Sequence, residues 1–207
     1  MTKIKNGDTI LFLGDSITAY GRVNMPLPYQ LCGYPAMIYD KLKNRFDAVT
    51  AYNRATGGNT IKDLYNGTKD FLEEIKPTFV SVLIGINDIW RHHDSCRPFS
   101  KTQFESDYRE LLDLIKQYTD RILLIEPFLV EEKDSEKACF RKELEIEKKI
   151  IKRLAEEYNA FYVLTDDAFS KACKNEGVDK YSLDGVHVTE EGFGLIAELW
   201  LKNQIVL

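Results

Sequence analysis

Several features that mark large classes of protein are missing from this chain of 207 residues. It has no run of about 18 uncharged apolar residues, so no transmembrane helix is expected. The formal net charge of -5 argues against a large nucleic-acid footprint, which would normally be basic. The N-terminal stretch lacks the apolar core and the small-residue cleavage site of a signal peptide, so a cytoplasmic location is the expectation.

Metal and nucleotide motifs are also missing. The cysteines lie far apart, without a CxxC or a Cys/His pair at zinc spacing, which predicts reduced, structural thiols at Cys32, Cys96, Cys139 and Cys173. Neither GxGxxG nor a GxxxxGKS/T loop follows the first predicted strand, so no nucleotide site is expected. No repeat or Pro/Gly-rich linker divides the chain, which predicts one domain over residues 1–207.

Short apolar runs alternate with helical patterns along the chain. The predicted strands are Thr9–Leu13, Ala48–Asn53, Phe79–Gly85, Arg121–Pro127 and Phe161–Leu164. Apolar residues at helical spacing predict helices near 104–118 and 144–158, and Thr189 is the expected N-cap of a last helix. This alternation predicts an α/β fold with a parallel sheet between helices. Because ligands of such sheets bind beyond the carboxyl ends of the strands, polar residues there are the candidates for a site.

The first polar segment is Gly14-Asp15-Ser16, directly after the first strand. It does not form a GxSxG nucleophile elbow, because Thr18 stands in the place of the second glycine. A serine at a helix start brings its own backbone N–H to a terminus that favours anions. By itself, the segment also fits a strand-to-helix turn with a capping Asp or Ser.

The segment from Asp184 to His187 supplies what a serine nucleophile needs. Serine requires an imidazole that accepts its proton, and the imidazole requires a carboxylate that fixes its tautomer. Two residues three positions apart in one turn can provide both, although such a pair can also be structural. His92 and His93 lie in the charged stretch RHHD, which we interpret as a solvated, loop-like surface.

Two more strand ends offer donors for a developing oxyanion. Gly58 in TGGN offers a backbone N–H in a loop where glycine permits close approach. Asn87 in GIND offers a side-chain amide, which can donate a hydrogen bond where an aspartate could not. A Gly-Gly turn and an Asn-Asp turn are each commonplace. Serine, glycine, asparagine and Asp-x-x-His together, all at strand ends, predict an acyl-transfer site.

These segments resemble the marker blocks of the SGNH hydrolases, the GDSL-type esterases and lipases. GDSIT resembles the first block, NRATGGNT the second, GIND the third and DGVH the fifth. The resemblance implies a three-layer α/β/α sandwich of the flavodoxin-like type with about five parallel strands, and ester hydrolysis without a metal or organic cofactor. It implies a catalytic triad of Ser16, Asp184 and His187, with Ser16, Gly58 and Asn87 as oxyanion donors.

The segment Ile84–Arg91 narrows the comparison. Trp90 and Arg91 resemble a bacterial subgroup that includes intracellular acetylxylan esterases and other carbohydrate deacetylases, and Glu126–Glu131 resembles that subgroup's segment after the fourth strand. The expected substrate is therefore a short-chain, acetyl ester of a sugar. An indole at this place could limit acyl length or stack on a sugar ring, or it could simply pack in the core. We assign Trp90 to the substrate pocket, together with Asp15, which is also expected to orient the turn.

Other functions fit the same scaffold. A lysophospholipase, thioesterase or aryl esterase would differ in its acyl or alcohol group. A non-catalytic binding module should have lost Ser16, Asn87 or His187, all of which are present. The expected partner is a small acylated substrate, without nucleic acid or membrane. The resemblance also favours a homo-oligomer, and the segment Asn24–Tyr39 could line either the pocket or a subunit contact.

Overall fold

The computed structural model describes residues 3–20, 31–95, 99–130, 133 and 135–204. In this part of the chain, one sheet of five parallel strands has the order β2-β1-β3-β4-β5. The strands are β1 (Thr9–Gly14), β2 (Thr50–Asn53), β3 (Phe79–Leu83), β4 (Ile122–Ile125) and β5 (Phe161–Val163). Both ends of every strand lie within two residues of the predicted bounds. The order is that of flavodoxin-like sheets, which confirms the predicted fold class.

Helices cover both faces of this sheet. They are α1 (Ser16–Ala19), α2 (Gly33–Lys43), α3 (Ile61–Ile75), α4 (Ile86–Ser95), α5 (Lys101–Lys116), α6 (Arg141–Glu157), α7 (Asp166–Glu176), α8 (Val178–Tyr181) and α9 (Glu190–Gln204), with a 3-10 helix at Ser135–Phe140 before α6. The predicted cap of the last helix is confirmed, because Thr189 Oγ1 accepts the backbone N–H of Gly192 at 3.2 Å. Among the described residues, no helix is both long and apolar enough to cross a membrane.

The core lies in two layers, one on each face of the sheet. Along β1, Phe12 joins the cluster on the face of α2 and α9, and Leu13 joins the cluster under α3, α5 and α6. Trp200 of α9 is fully buried against the sheet, and its indole N–H donates to Ser81 Oγ of β3 at 3.0 Å. Burial of each such large side chain contributes about 1.5–3 kcal/mol to the free energy of unfolding. Strands that are apolar on both faces gain this contribution on both faces only when a layer of helices covers each of them.

The prediction that His92 and His93 lie in a solvated loop is wrong. Both belong to α4, which continues to Ser95, and their side chains are 25% and 28% exposed. The ring of His93 packs on Phe140 at a centroid distance of 4.7 Å, and the two imidazoles lie 4.8 Å apart. A partner more than 40 positions along the chain therefore covers part of the His93 ring.

Some sequence expectations fall partly outside the described residues. In the segment Asn24–Tyr39, residues 24–30 are outside, and from Gly33 onward the chain is α2. Glu131 and Cys96 are outside as well. The other cysteines are free thiols, of which Cys173 is buried, Cys32 is half-buried and Cys139 is exposed. The three described cysteines are reduced, as predicted, although Cys139 is exposed.

Candidate active site

Ser16 is the first residue of α1, directly beyond the carboxyl end of β1. Asp15 caps this short helix, because its carboxylate accepts the backbone N–H of Ile17 at 3.0 Å. Gly14 allows the turn to form, since a Cβ there would lie 2.4 Å from the carbonyl oxygen of Leu83 on β3. The chain thus leaves the sheet with Ser16 half-buried at the edge where ligands of such sheets bind.

The structure brings Ser16, His187 and Asp184 together. Ser16 Oγ lies 2.9 Å from His187 Nε2, and His187 Nδ1 lies 2.8 Å from Asp184 Oδ2. Asp184 Oδ1 accepts the backbone N–H groups of His187 at 2.7 Å and Val186 at 3.0 Å. Partial burial raises the pKa of Asp184, but these hydrogen bonds outweigh burial and lower it to about 2. The carboxylate can therefore hold a proton on Nδ1 and leave Nε2 free to accept the serine proton.

The loop that carries His187 is fixed from outside by two contacts. The backbone N–H of Val130, beyond β4, donates to the carbonyl oxygen of Gly185 at 2.8 Å. The ammonium of Lys137 donates to the carbonyl oxygen of Asp184 at 2.6 Å and lies 3.7 Å from Asp184 Oδ2. Sequence analysis missed Lys137, which lies 47 residues from Asp184. The residues around Lys137 are mostly charged, a composition typical of a solvent-exposed surface.

The two predicted oxyanion donors lie at the ends of the neighbouring strands. Gly58, in the loop after β2, has a φ of +80°, which favours glycine, and a Cβ there would lie 3.2 Å from Arg91 Nη2. Asn87, in the first turn of α4, donates its side-chain amide to the carbonyl oxygen of Asn59 at 3.1 Å. Gly58 and Asn87 line the same cavity as Ser16, so the structure brings these three residues together.

Asn53 ties this glycine loop to the start of α1. Its buried side chain donates to the carbonyl oxygen of Thr18 at 2.6 Å and accepts the backbone N–H of Ala55 at 3.0 Å. The backbone N–H of Thr56 donates to the carbonyl oxygen of Gly14 at 3.1 Å. These bonds hold the loop in register with the end of β1.

Two aspartates of the motifs serve as backbone caps. Asp15 orients the turn as expected, because it is turned inward to cap α1, but it is 1% exposed and does not line the cavity, so its assignment to the pocket is wrong. Burial raises the pKa of Asp15 to about 7, against the lowering effects of the Ile17 N–H and of His187. Asp88 accepts the backbone N–H of Ile61 at 3.2 Å and so joins α4 to α3. Removal from solvent raises the pKa of Asp88 to about 8, against the lowering effect of that hydrogen bond.

A cavity of about 310 Å³ lies over these groups. Its lining consists of Ser16, Gly57, Gly58, Asn87, Trp90, Arg91 and His187. Trp90 forms one wall, half-buried, with its ring centroid 6.3 Å from that of His187. The predicted site residues did not include Gly57 or Arg91. The place of Arg91 at the cavity could have been predicted from its spacing. Residues four apart on a helix share a face, and Asn87 lies four residues before Arg91.

Replacement of Asn87 by alanine is expected to lower kcat for p-nitrophenyl acetate by about 10²- to 10³-fold, because one oxyanion donor is lost. KM should change much less, since the donor acts mainly on the charge that develops in the transition state. Steady-state kinetics of the folded variant measures both. A loss of less than tenfold would show that Asn87 does not hold the oxyanion.

A hydroxyl paired with an imidazole that a carboxylate orients, beside two hydrogen-bond donors, can carry out nucleophilic acyl transfer. In an α/β sheet this combination defines a class of hydrolytic enzymes. The model of the GDSL-like lipase/acylhydrolase family matches residues 12–195. The chain belongs to this family, and it is a carboxylic ester hydrolase.

Individual relatives are similar over nearly the whole chain. An acetylxylan esterase of Geobacillus stearothermophilus is 30% identical over 213 residues, covering 97% of this chain and 95% of the relative. The crystal structure of Axe2, an acetylxylan esterase of the same species, aligns with a TM-score of 0.87 at 27% identity, covering 100% of this chain and 98% of Axe2. LAE5, an α/β hydrolase from the metagenome of Lake Arreo in Spain, aligns with a TM-score of 0.86 at 25% identity, covering 97% of this chain and 96% of LAE5.

Proposed function

We propose that this protein is a serine esterase that removes acetyl groups from a carbohydrate through an acyl-enzyme. The observation that carries the proposal is the continuous chain of contacts from Ser16 Oγ through His187 to Asp184, at 2.9 and 2.8 Å. In this proposal Ser16 is the nucleophile, His187 is the general base and acid, and Asp184 fixes the imidazole.

The reaction proceeds in two halves. His187 Nε2 takes the proton of Ser16 as the hydroxyl oxygen attacks the ester carbonyl, and a tetrahedral oxyanion forms. The N–H groups of Ser16 and Gly58 and the side-chain amide of Asn87 donate to this oxygen. The protonated His187 then gives its proton to the leaving alcohol, which leaves the acyl group on Ser16. Water repeats the sequence on the acyl-enzyme and releases the carboxylic acid.

Asp15 and Asp88 support this machinery without touching the substrate. Asp15 holds the first turn of α1, and the Ser16 N–H at the start of this helix is one of the proposed oxyanion donors. Asp88 holds the N-terminus of α3 against α4, which carries Asn87. Both carboxyls hydrogen-bond to backbone N–H groups, so alanine substitutions there should misplace the oxyanion donors instead of removing them.

The small cavity supports an acetyl group as the acyl part of the substrate. Its volume is about 310 Å³, and Trp90 is the only large apolar side chain in its described lining. A long acyl chain would therefore have no extended apolar wall among the described residues. The assignment of the alcohol part as a carbohydrate is supported by the acetylxylan esterase relatives. Structures of catalytic mutants of Axe2, in which a serine, an aspartate or a histidine becomes alanine, support the triad proposal.

A panel of esters tests the substrate assignment. We expect kcat/KM for p-nitrophenyl esters to fall at least tenfold from acetyl to decanoyl, because the longer chain stays exposed to water. We also expect release of acetate from acetylated xylo-oligosaccharides. The Ser16→Ala variant serves as the matched control for uncatalysed hydrolysis.

The alternatives give different patterns in the same panel. A decanoyl rate equal to or above the acetyl rate would contradict an acetyl esterase and favour a lysophospholipase-like enzyme. Rapid hydrolysis of acetyl thioesters or aryl acetates, without release of acetate from the oligosaccharides, would contradict the carbohydrate assignment. An inactive but folded wild-type protein would favour a binding module.

Two expectations from the sequence stay predictions. They are a single domain over residues 1–207 and a homo-oligomeric assembly.

A further inference from the structure

A second group of side chains suited to metal binding lies outside the catalytic cavity, where α4 packs against the start of α6. It consists of His92, His93 and Glu143, which each offer one ligand atom within 4.8 Å of the other two. Nε2 of His92 lies 3.9 Å from Oε1 of Glu143, and Nε2 of His93 lies 3.9 Å from Oε2. These separations are too long for hydrogen bonds. The three groups therefore converge without bonding to one another.

Several polar atoms of this cluster are buried without a hydrogen-bond partner. They are Nδ1 of His92, Nε2 of His93 and Oε2 of Glu143. Buried polar groups in folded proteins are paired in the great majority of cases, so three unpartnered atoms in one cluster call for an explanation. The Oε2 atom and the His93 Nε2 atom are also the two that face each other across 3.9 Å.

The other nitrogen of His93 has a partner. Nδ1 of His93 lies 3.7 Å from the sulfur of Cys139, in the 3-10 helix before α6. A proton on Nδ1 that points to this sulfur leaves a lone pair on Nε2, directed at the carboxylate of Glu143. Two acceptors then face each other, an arrangement that a cation between them stabilises. Metal-binding histidines commonly have such a partner on the nitrogen that does not bind the metal.

The surroundings of the cluster also favour a cation. Glu147, one turn beyond Glu143 on α6, is fully buried and its carboxyl has no hydrogen-bond partner. Burial, together with the charges of Asp88 and Glu143, raises the pKa of Glu147 well above its ordinary range. A positive ion beside Glu143 would offset the effect of the Glu143 charge on the pKa of Glu147.

We propose that His92, His93 and Glu143 form a binding site for a divalent transition-metal ion of the Zn²⁺ class. Two imidazoles and one carboxylate are a recognised zinc ligand set, with a fourth position left for water. Zinc–nitrogen bonds of about 2.0–2.1 Å at tetrahedral angles place neighbouring ligand atoms roughly 3.4 Å apart. The 3.9 Å between His93 Nε2 and Glu143 Oε2 closes to this geometry with an approach of about 0.5 Å. The three ligand atoms lie within 4.8 Å of one another, so the remaining separations close by at most about 1.4 Å.

The role of this ion is structural. The ring of His93 packs on Phe140, and Phe140 packs on the pocket residue Trp90 at a centroid distance of 5.9 Å. The 3-10 helix that ends at Phe140 also carries Lys137, whose ammonium holds the carbonyl oxygen of Asp184. An ion that joins α4 to α6 would therefore stiffen the wall of the cavity without entering the ester chemistry.

Zinc titration of the whole chain tests the site, with the His187→Ala protein as the template. The chain has three histidines, so this template leaves only the two of the cluster. Isothermal titration of the metal-free template with ZnCl₂ should give one ion per chain, and Zn²⁺ but not Mg²⁺ should raise the unfolding midpoint. Loss of a group that only hydrogen-bonds to a metal ligand typically weakens metal binding by about 10- to 100-fold. Because His92→Gln and Glu143→Gln each remove a ligand itself, either substitution in this template should weaken Zn²⁺ binding by at least that factor.

Two matched variants separate this site from other zinc binding. Asp94→Asn removes an exposed carboxylate of the same helix and should leave the affinity unchanged. Cys139→Ala removes the partner of His93 and should weaken binding without changing the stoichiometry. Full-affinity binding in both His92→Gln and Glu143→Gln, or no binding by the template, would overturn the proposal. So would loss of binding in Cys139→Ala with retention in Glu143→Gln.

Crystallography provides a readout that does not depend on the variants folding. Wild-type crystals soaked in ZnCl₂ should give an anomalous difference peak between the two imidazoles and the Glu143 carboxylate. A peak only at His187 or at Cys139 would contradict the site, even if the substitutions in α4 or α6 prevented folding.

Discussion

Replacement of Ser16 by alanine is expected to lower kcat for p-nitrophenyl acetate by about 10⁶-fold, the loss found when the serine of another triad hydrolase is removed. In the proposed mechanism, the acyl-enzyme cannot form without the hydroxyl that lies 2.9 Å from His187 Nε2. The fold should be unaffected, because Asp15, and not Ser16, provides the side-chain cap of α1. Initial rates at high enzyme concentration, with the unfolding midpoint, measure the two effects.

A second readout tests the same nucleophile without turnover. A p-nitrophenyl phosphonate should add one covalent group to the wild-type chain, located at Ser16 by peptide mass spectrometry, and none to the alanine variant. Ser170→Ala, a half-buried serine of α7 outside the cavity, is the matched control and should keep wild-type rate and labelling. Labelling of the Ser16→Ala protein, or retention of most of its rate, would contradict the assignment.

The sheet could be predicted because its signals are local. β4 is a continuous apolar run and β3 is apolar except for Ser81, and every residue in both is buried, as expected for strands covered on both faces. The family resemblance implied the flavodoxin-like class with about five parallel strands, and the structure supplied the strand order. Helices α2, α3, α4, α7 and α8 were not identified. In α2, α7 and α8 the pattern of buried residues is short and depends on contacts with α9.

The site could be predicted at the level of motifs but not of supporting contacts. Ser16, Gly58, Asn87 and His187 all line one cavity because each follows a strand or precedes the last helix. The turn-orienting role of Asp15 was predicted, but its absence from the cavity lining was not, since sequence does not reveal which way a capping carboxylate faces. Lys137 was missed because its contact with Asp184 is set by tertiary packing alone. For the same reason, the packing of His93 on Phe140 could not be read from the sequence.

The Asp184→Asn variant is expected to lose about 10⁴-fold in kcat with little change in structure. The amide oxygen of asparagine can still accept the N–H groups of His187 and Val186, now bonded at 2.7 and 3.0 Å. Its NH₂ group, however, then faces His187 Nδ1. A donor at this place stabilises the tautomer with the proton on Nε2, and this nitrogen can no longer take the proton of Ser16.

The loss in Asp184→Asn should come from the tautomer and not from misfolding, and matched variants separate the two. The pKa of Asp184 is about 2, so the wild-type side chain is an anion in any ordinary assay and the substitution removes a full charge. Asp167→Asn, which changes an exposed carboxylate of α7, should keep the wild-type kcat and unfolding midpoint. Circular dichroism and thermal unfolding check the fold, and KM should stay within a few-fold because the carboxylate does not line the cavity.

A kcat within tenfold of wild type, in a background where Ser16→Ala is inactive, would mean that another group orients His187. Lys137 could not be that group, since its ammonium only donates hydrogen bonds and cannot accept the proton on Nδ1. The geometry therefore leaves Asp184 as the acceptor on which a protonated Nδ1 depends.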